Sequence, residues 1–160
     1  MHEYPYIHEK GKLPRTLARI DFLSDLNPEA LDGILTNSSL VEAFSGETIL
    51  SEGDEAGEFY FLLKGSVQVS KEGRQIALID QQGELLGELS ALKGETRSAS
   101  LTAATPCFLL KVDPKFLDEL SDTERSAYHL ILYRFLTELL TRRLADTSAR
   151  VAELEKQLGL

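Results

Sequence analysis

Residues 53–69, GDEAGEFYFLLKGSVQV, place two short apolar runs among glycine-bearing turns, and that pattern decides the fold class. In Ser66–Ser70, Val67 and Val69 face one side while Gln68 and Ser70 face the other, as a half-buried strand requires. Gly53-Asp54, Gly65 and Glu72-Gly73 fall where turns need residues tolerant of positive φ. Outward from this stretch the same grammar recurs in LVEAF, TILSE, QIALID, ASLTA and CFLLKV, with glycines punctuating the runs. Many short strands separated by about 8–12 residues predict a sandwich or barrel.

The flanks are different. Residues 1–16 read as a polar arm without period, expected to be loosely held. From Leu17, the run LARIDFLSDL places Leu17, Ile20, Leu23 and Leu26 at helical spacing. Asn27-Pro28 reads as an N-cap followed by Pro at the first helical position, opening a short helix to about Leu35. Asp113-Pro114 closes the last strand, and PKFLDEL predicts one or two helical turns. Ser121 and Glu124 form a capping box that opens a helix free of Pro and Gly until Gly159, about 55 Å long. Its first half (Leu130, Ile131, Phe135, Leu139) is expected to fold onto the β region. In its second half Leu144, Val151 and Leu158 are seven apart, with Thr147 and Leu154 between them, a heptad seam for a partner helix.

The expected class is therefore mainly β with flanking helices (α+β), a jelly-roll-like β-roll with short N-terminal helices and a long C-terminal helix. Residues 1–16 are the arm, 17–120 the roll with its N-terminal helices, and 121–160 the long helix.

A chain of 160 residues is one domain, large enough to bury a core. It holds no apolar run long enough to span a membrane, and its N-terminus lacks the apolar stretch of a secretory signal. The lone Cys107 sits inside CFLLKV as a core residue, so no internal disulfide forms and a cytoplasmic setting is expected. The net charge of −9 argues against nucleic-acid binding by this chain alone, because duplex binding rests on neutralising phosphates. His2, His8 and His129 lie in the arm and the long helix, none in the strand region. A metal-dependent enzyme of similar fold needs converging histidines with a carboxylate, and no nucleophile–base pairing stands out either. The expectation is a non-enzyme with no metal.

The chemistry concentrates in residues 87–101, GELSALKGETRSASL. Gly87 allows close backbone approach, and Leu89, Ser90 and Ala91 suit a turn whose amides point at an anion. Arg97 supplies a planar fork of donors for a phosphate, and Glu88 accepts from hydroxyl donors such as those of a sugar. In an acidic chain a site for an anion needs such a local base.

As a unit, Gly87, Glu88, Leu89 and Ser90 followed by Arg97, Ser98 and Ala99 resemble the phosphate-binding cassette of the cyclic nucleotide-binding domain family. That pattern runs G-E-[LI]-[AS], an insertion, then R-[AST]-A. GDEAGEFYFLLKGSVQV resembles the first half of the same family, so the likeness covers residues 17–158 or so. It implies a cyclic phosphate against Arg97, Ser98 and the amides of Ser90 and Ala99, a ribose 2′-hydroxyl on Glu88, and a base beside Val69 and Leu86.

Residues 141–154, TRRLADTSARVAEL, resemble the dimer helix of the bacterial catabolite-activator branch of that family. This implies a homodimer in which Thr147 and Ser148 meet the base, Ser148 from the partner, while Arg143 approaches Glu88. Ser98 and the Thr-Ser pair imply cAMP in preference to cGMP. In that branch a DNA-reading unit follows the helix, whereas this sequence ends at Leu160. The expectation is a sensor without its own DNA-binding domain, acting through an unknown downstream protein. The alternatives are a dimeric scaffold with a non-functional pocket, or the sensor half of a truncated transcription regulator.

Overall fold

Nine strands build two antiparallel sheets in the computed structural model, which describes residues 1–7, 9–88, 90 and 94–160. In chain order they are β1 (His2–Pro5), β2 (Ser38–Ala43), β3 (Thr48–Leu50), β4 (Phe59–Lys64), β5 (Val67–Lys71), β6 (Arg74–Ile79), β7 (Leu85–Leu86), β8 (Ser100–Ala103) and β9 (Cys107–Val112). One sheet runs β1-β2-β9-β4-β7 and the other β3-β8-β5-β6. Crossovers between the sheets make this a β-roll.

Local chemistry sets the corners. The β5–β6 hairpin turns at Glu72-Gly73, whose φ values of 50° and 76° are those of a tight primed turn that matches strand twist. Gly65 has a φ of 94°, and a Cβ there would stand 2.3 Å from the Pro106 carbonyl oxygen, so no side chain fits.

β4 reads as a continuous apolar run because both of its faces are covered. Phe59, Phe61 and Leu63 pack toward the helices, while Tyr60 and Leu62, with Val41 and Leu109 of the same sheet, share a core with Val67 and Leu101 of the second. Strands buried on both faces lose the alternation of a half-buried strand.

The helices described in full are α1 (Arg15–Ala18), α2 (Asp21–Ser24), α3 (Pro28–Thr36) and α4 (Asp122–Leu158), with a 3₁₀ helix at Pro114–Glu119. The Asn27 side chain caps α3 by accepting from the Ala30 amide at 2.8 Å. The capping box of α4 is complete, and Gly159 ends the helix in the left-handed conformation. Tyr128, Leu132, Leu136 and Leu139 anchor α4 on the roll. The Phe22 ring lies 5.8 Å from Phe61 and 5.7 Å from Tyr128, centroid to centroid. Burying each such ring stabilises the fold by about 1.5–3 kcal/mol.

Two expectations need correction. The N-terminal arm is not loose over its first residues: β1 pairs with the edge of β2, His2 opposite Glu42 and Pro5 opposite Ser39. Its side chains are exposed, so the pairing rests on backbone hydrogen bonds and on the polar contacts of Glu3 with Ser39 and Lys111, which leave no apolar period to read. Leu130 does not fold onto the roll but is 72% exposed, because Tyr128 and Leu132 hold the inward face at that turn. Ile131, Phe135 and Leu139 do pack inward. No helix among the described residues is long and apolar enough to cross a membrane.

Candidate functional site

β7 delivers the chain to Gly87, whose φ of 80° turns it out of the sheet. Tyr60 and Phe61 of β4 pair with Leu86 and Leu85, which fixes where that turn occurs. Ten residues on, the Arg97 backbone is pinned by the 53–54 turn: its amide donates to the Asp54 carbonyl at 2.8 Å, and its carbonyl accepts from the Gly53 amide at 2.9 Å. One half of the 87–101 stretch is thus set by β4 and the other by the Gly53-Asp54 turn, both within the first motif.

Arg97 is 4% exposed. Its Nη1 donates to the Gly87 carbonyl at 2.7 Å and its Nη2 to the Glu58 carbonyl at 2.6 Å. Nε finds no acceptor among the described residues. A guanidinium carries five N–H donors, so this buried cation keeps donors free for a further anionic partner. A Cβ on Gly87 would come within 2.9 Å of Arg97 Nη1, so the glycine is what allows the guanidinium to lie against the backbone.

Glu88 is 4% exposed, and burial pushes its carboxyl up from the ordinary value, with Arg143 acting in the opposite sense. Arg143 reaches it from α4, Nη1 donating to Glu88 Oε1 at 3.3 Å. The same arginine makes shorter bonds through Nη2, at 2.8 Å to Glu84 Oε2 and 2.7 Å to the Leu85 carbonyl. Arg142 also pairs with Glu84, which is buried. The sequence reading missed Glu84 and Arg142; the adjacent arginines, which call for nearby acids, were the available signal.

Arg97, Glu88 and Arg143 share one cavity of about 230 Å³, whereas Glu84 and Arg142 lie outside its lining. Of the residues the sequence proposed, Val69, Leu86, Gly87, Glu88, Ser90, Arg97, Ser98, Ala99 and Arg143 line it. Ile76, Ile79 and Leu101 add apolar wall that the sequence did not assign. Leu89, like Ala91, lies outside the described residues. Thr147 is exposed and borders an adjoining groove that shares Val69, Ile79 and Arg143 with the cavity. Ser148 is exposed and borders neither. The cavity thus sets a buried cation with spare donors beside a buried carboxylate and an apolar wall. A phosphate, a hydroxyl and a planar apolar group on one small molecule fit that set.

A family model for the cyclic nucleotide-binding domain matches residues 41–124, just over half of the chain. The chain belongs to the cyclic nucleotide-binding domain family. Over 144 residues this domain is 28% identical to a cGMP-dependent protein kinase of Eimeria tenella, covering 89% of this chain and 14% of the kinase. Over 129 residues it is 31% identical to the cAMP-activated global transcriptional regulator CRP of Haemophilus influenzae, covering 78% of this chain and 55% of the regulator. The domain thus spans about a seventh of the kinase and just over half of the regulator. A solved putative cyclic nucleotide-binding protein from Geobacter metallireducens shares its fold, with a TM-score of 0.71 and 23% identity over 82% of this chain and 97% of that one.

Proposed function

We propose that this domain is a regulatory sensor for a cyclic nucleotide, cAMP in preference to cGMP, that passes occupancy of its cavity to α4 in a homodimer. The observation that carries the reading is Arg97, a buried guanidinium with unfilled donors facing the same cavity as Glu88. The cyclic phosphate sits on Arg97 and Ser98, the ribose 2′-hydroxyl on Glu88, and the base against Val69 and Leu86. The preference for cAMP rests on Ser98 and on Thr147-Ser148, one turn beyond Arg143 on α4.

Coupling follows from what α4 already touches. Arg143 bridges Glu88 in the cavity wall and Glu84 at the mouth of β7. A ligand hydroxyl that takes up Glu88 changes the share of Arg143 left to each carboxylate. Differential contacts of this kind are what make two sites thermodynamically coupled. On the outer face of α4, Leu130, Tyr133, Leu140, Leu144, Val151, Leu154 and Leu158 are all exposed at heptad positions, which suits a second copy of the same helix.

The test is calorimetric titration of nucleotide-stripped protein with cAMP, cGMP and 5′-AMP. Saturable binding of cAMP, weaker binding of cGMP and none of 5′-AMP is the expected result. No heat and no thermal shift with any of the three would overturn the sensor reading.

A further inference from the structure

Arg97 also ends a second chain of charges. Its Nη2 lies 4.0 Å from Glu58 Oε2, and Glu58 Oε1 lies 3.7 Å from Lys111 Nζ. That ammonium donates to both oxygens of Glu3 at 3.2 Å each. Ser39 Oγ donates to Glu3 Oε1 at 2.5 Å and fixes the carboxylate in place. The strand register brings the groups together: β1 pairs with β2, Ser39 sits opposite Lys111 of β9, and Glu58 immediately precedes β4, whose first residue is opposite Val112.

The two carbonyl bonds to Arg97 already fix its guanidinium, so the Glu58 carboxylate is not needed to position it. At 4.0 Å that carboxylate is instead a rival anion at the cation the phosphate needs. Lys111 is the group able to quench it. Its pair with Glu58 is beyond hydrogen-bond length, however, whereas both of its bonds to Glu3 are within it. Although burial opposes the charge, Glu3 first, then the Tyr60 hydroxyl and Glu58, hold the Lys111 ammonium above its ordinary value.

Resting on the sensor reading above, we propose that Glu58 sets the affinity of the pocket by competing with the ligand's phosphate for Arg97, and that Glu3 on β1 strengthens this competition by drawing Lys111 away from Glu58. The N-terminal strand then becomes an input to the nucleotide site, and whatever displaces β1 tightens binding.

The experiment is titration of the full chain with cAMP and cGMP at low and high salt, for wild type, Glu58→Gln, Glu3→Gln, the double variant and Lys111→Gln. Glu58→Gln tightens binding roughly two- to fivefold, the range of a partly exposed pair. Glu3→Gln tightens it less and adds nothing in the Glu58→Gln background. Lys111→Gln loosens it, a sign opposite to the other two that general damage to the fold does not produce. All three effects shrink at high salt. Unchanged or weaker binding by Glu58→Gln overturns the proposal while leaving the sensor reading intact. A Glu3→Gln gain that persists in the double variant overturns the role of β1. A wild type that binds no cyclic nucleotide overturns the sensor reading and this proposal with it.

Discussion

Arg143 of α4 is bonded more closely to Glu84, at 2.8 Å, than to Glu88, at 3.3 Å. One cation is therefore divided between two buried carboxylates and leans toward the one outside the cavity. Glu88 is left only partly compensated for its burial, which is why its carboxyl is raised despite a nearby guanidinium. It also means that a hydroxyl donor on Glu88 completes a partial set of partners without having to break the tie between α4 and Glu84.

The pH dependence of stability follows from that carboxyl. A folded value raised above the ordinary 4.5 means that the folded state keeps the proton longer than the unfolded chain. The contribution of Glu88 to stability is fully present below the ordinary value and is lost as pH rises through the raised folded value. Urea unfolding of wild type and Glu88→Gln from about pH 4 to about pH 8 checks this. The difference between them should shift in favour of Glu88→Gln with rising pH, and a constant difference would be contrary evidence. Comparing the two proteins cancels carboxylates such as Glu3, whose value is lowered chiefly by the Ser39 hydrogen bond and whose slope has the opposite sign.

Replacing Arg97 by Ala should weaken cyclic nucleotide binding by about 2–5 kcal/mol, roughly 30- to 4,000-fold. The structure adds a second consequence. The Gly87 and Glu58 carbonyls lose their donors, and because both are only partly buried the stability cost should fall at or below the low end of the roughly 1–3 kcal/mol of a buried orphan acceptor. Calorimetry on Arg97→Lys separates the two effects, since Lys keeps a charge and a donor but loses the fork. Wild-type affinity in Arg97→Ala would place the phosphate elsewhere.

Gly87→Ala should cost about 1–3 kcal/mol in urea unfolding, because an L-residue is strained at a φ of 80°. Its Cβ would also press on Arg97 Nη1 and stand 3.1 Å from Leu50 Cδ1, so ligand affinity should fall alongside stability. Equal stability of wild type and variant would show that the turn relaxes freely.

What could be read in the sequence was local. Gly87, Glu88 and Arg97 carry their chemistry within eleven residues, and the Asn27 and Ser121 caps lie next to the helices they open. The tie of Arg142 and Arg143 to Glu84 spans some 58 residues and exists only once α4 docks. β7 is two residues long and has no period to detect, although it positions Gly87. α4 presents apolar residues on two faces, so periodicity alone could not decide which leucines turn inward. The expectation that Leu130 turns inward fails for that reason.

With its faces resolved, α4 exposes a longer apolar stripe than its last turns alone suggest. Leu130, Leu144, Val151 and Leu158 fall on one heptad position, with Thr137 completing the series. Tyr133, Leu140 and Leu154 fall on the other, with Thr147 in register. Each of these seven apolar side chains is at least 38% exposed in the single chain. A second copy burying this stripe would remove apolar surface along nearly the whole helix, which a short C-terminal seam could not do. Leu144→Ala should therefore raise the dimer dissociation constant roughly thirtyfold or more, taking about 2 kcal/mol as the low end for a buried leucine. Leu130→Ala should weaken the dimer measurably as well, because the exposed stripe begins there. Sedimentation velocity across a concentration series reads both. A monomeric wild type would remove the dimer, whereas loss in Leu144→Ala with none in Leu130→Ala would confine the contact to the second half of α4.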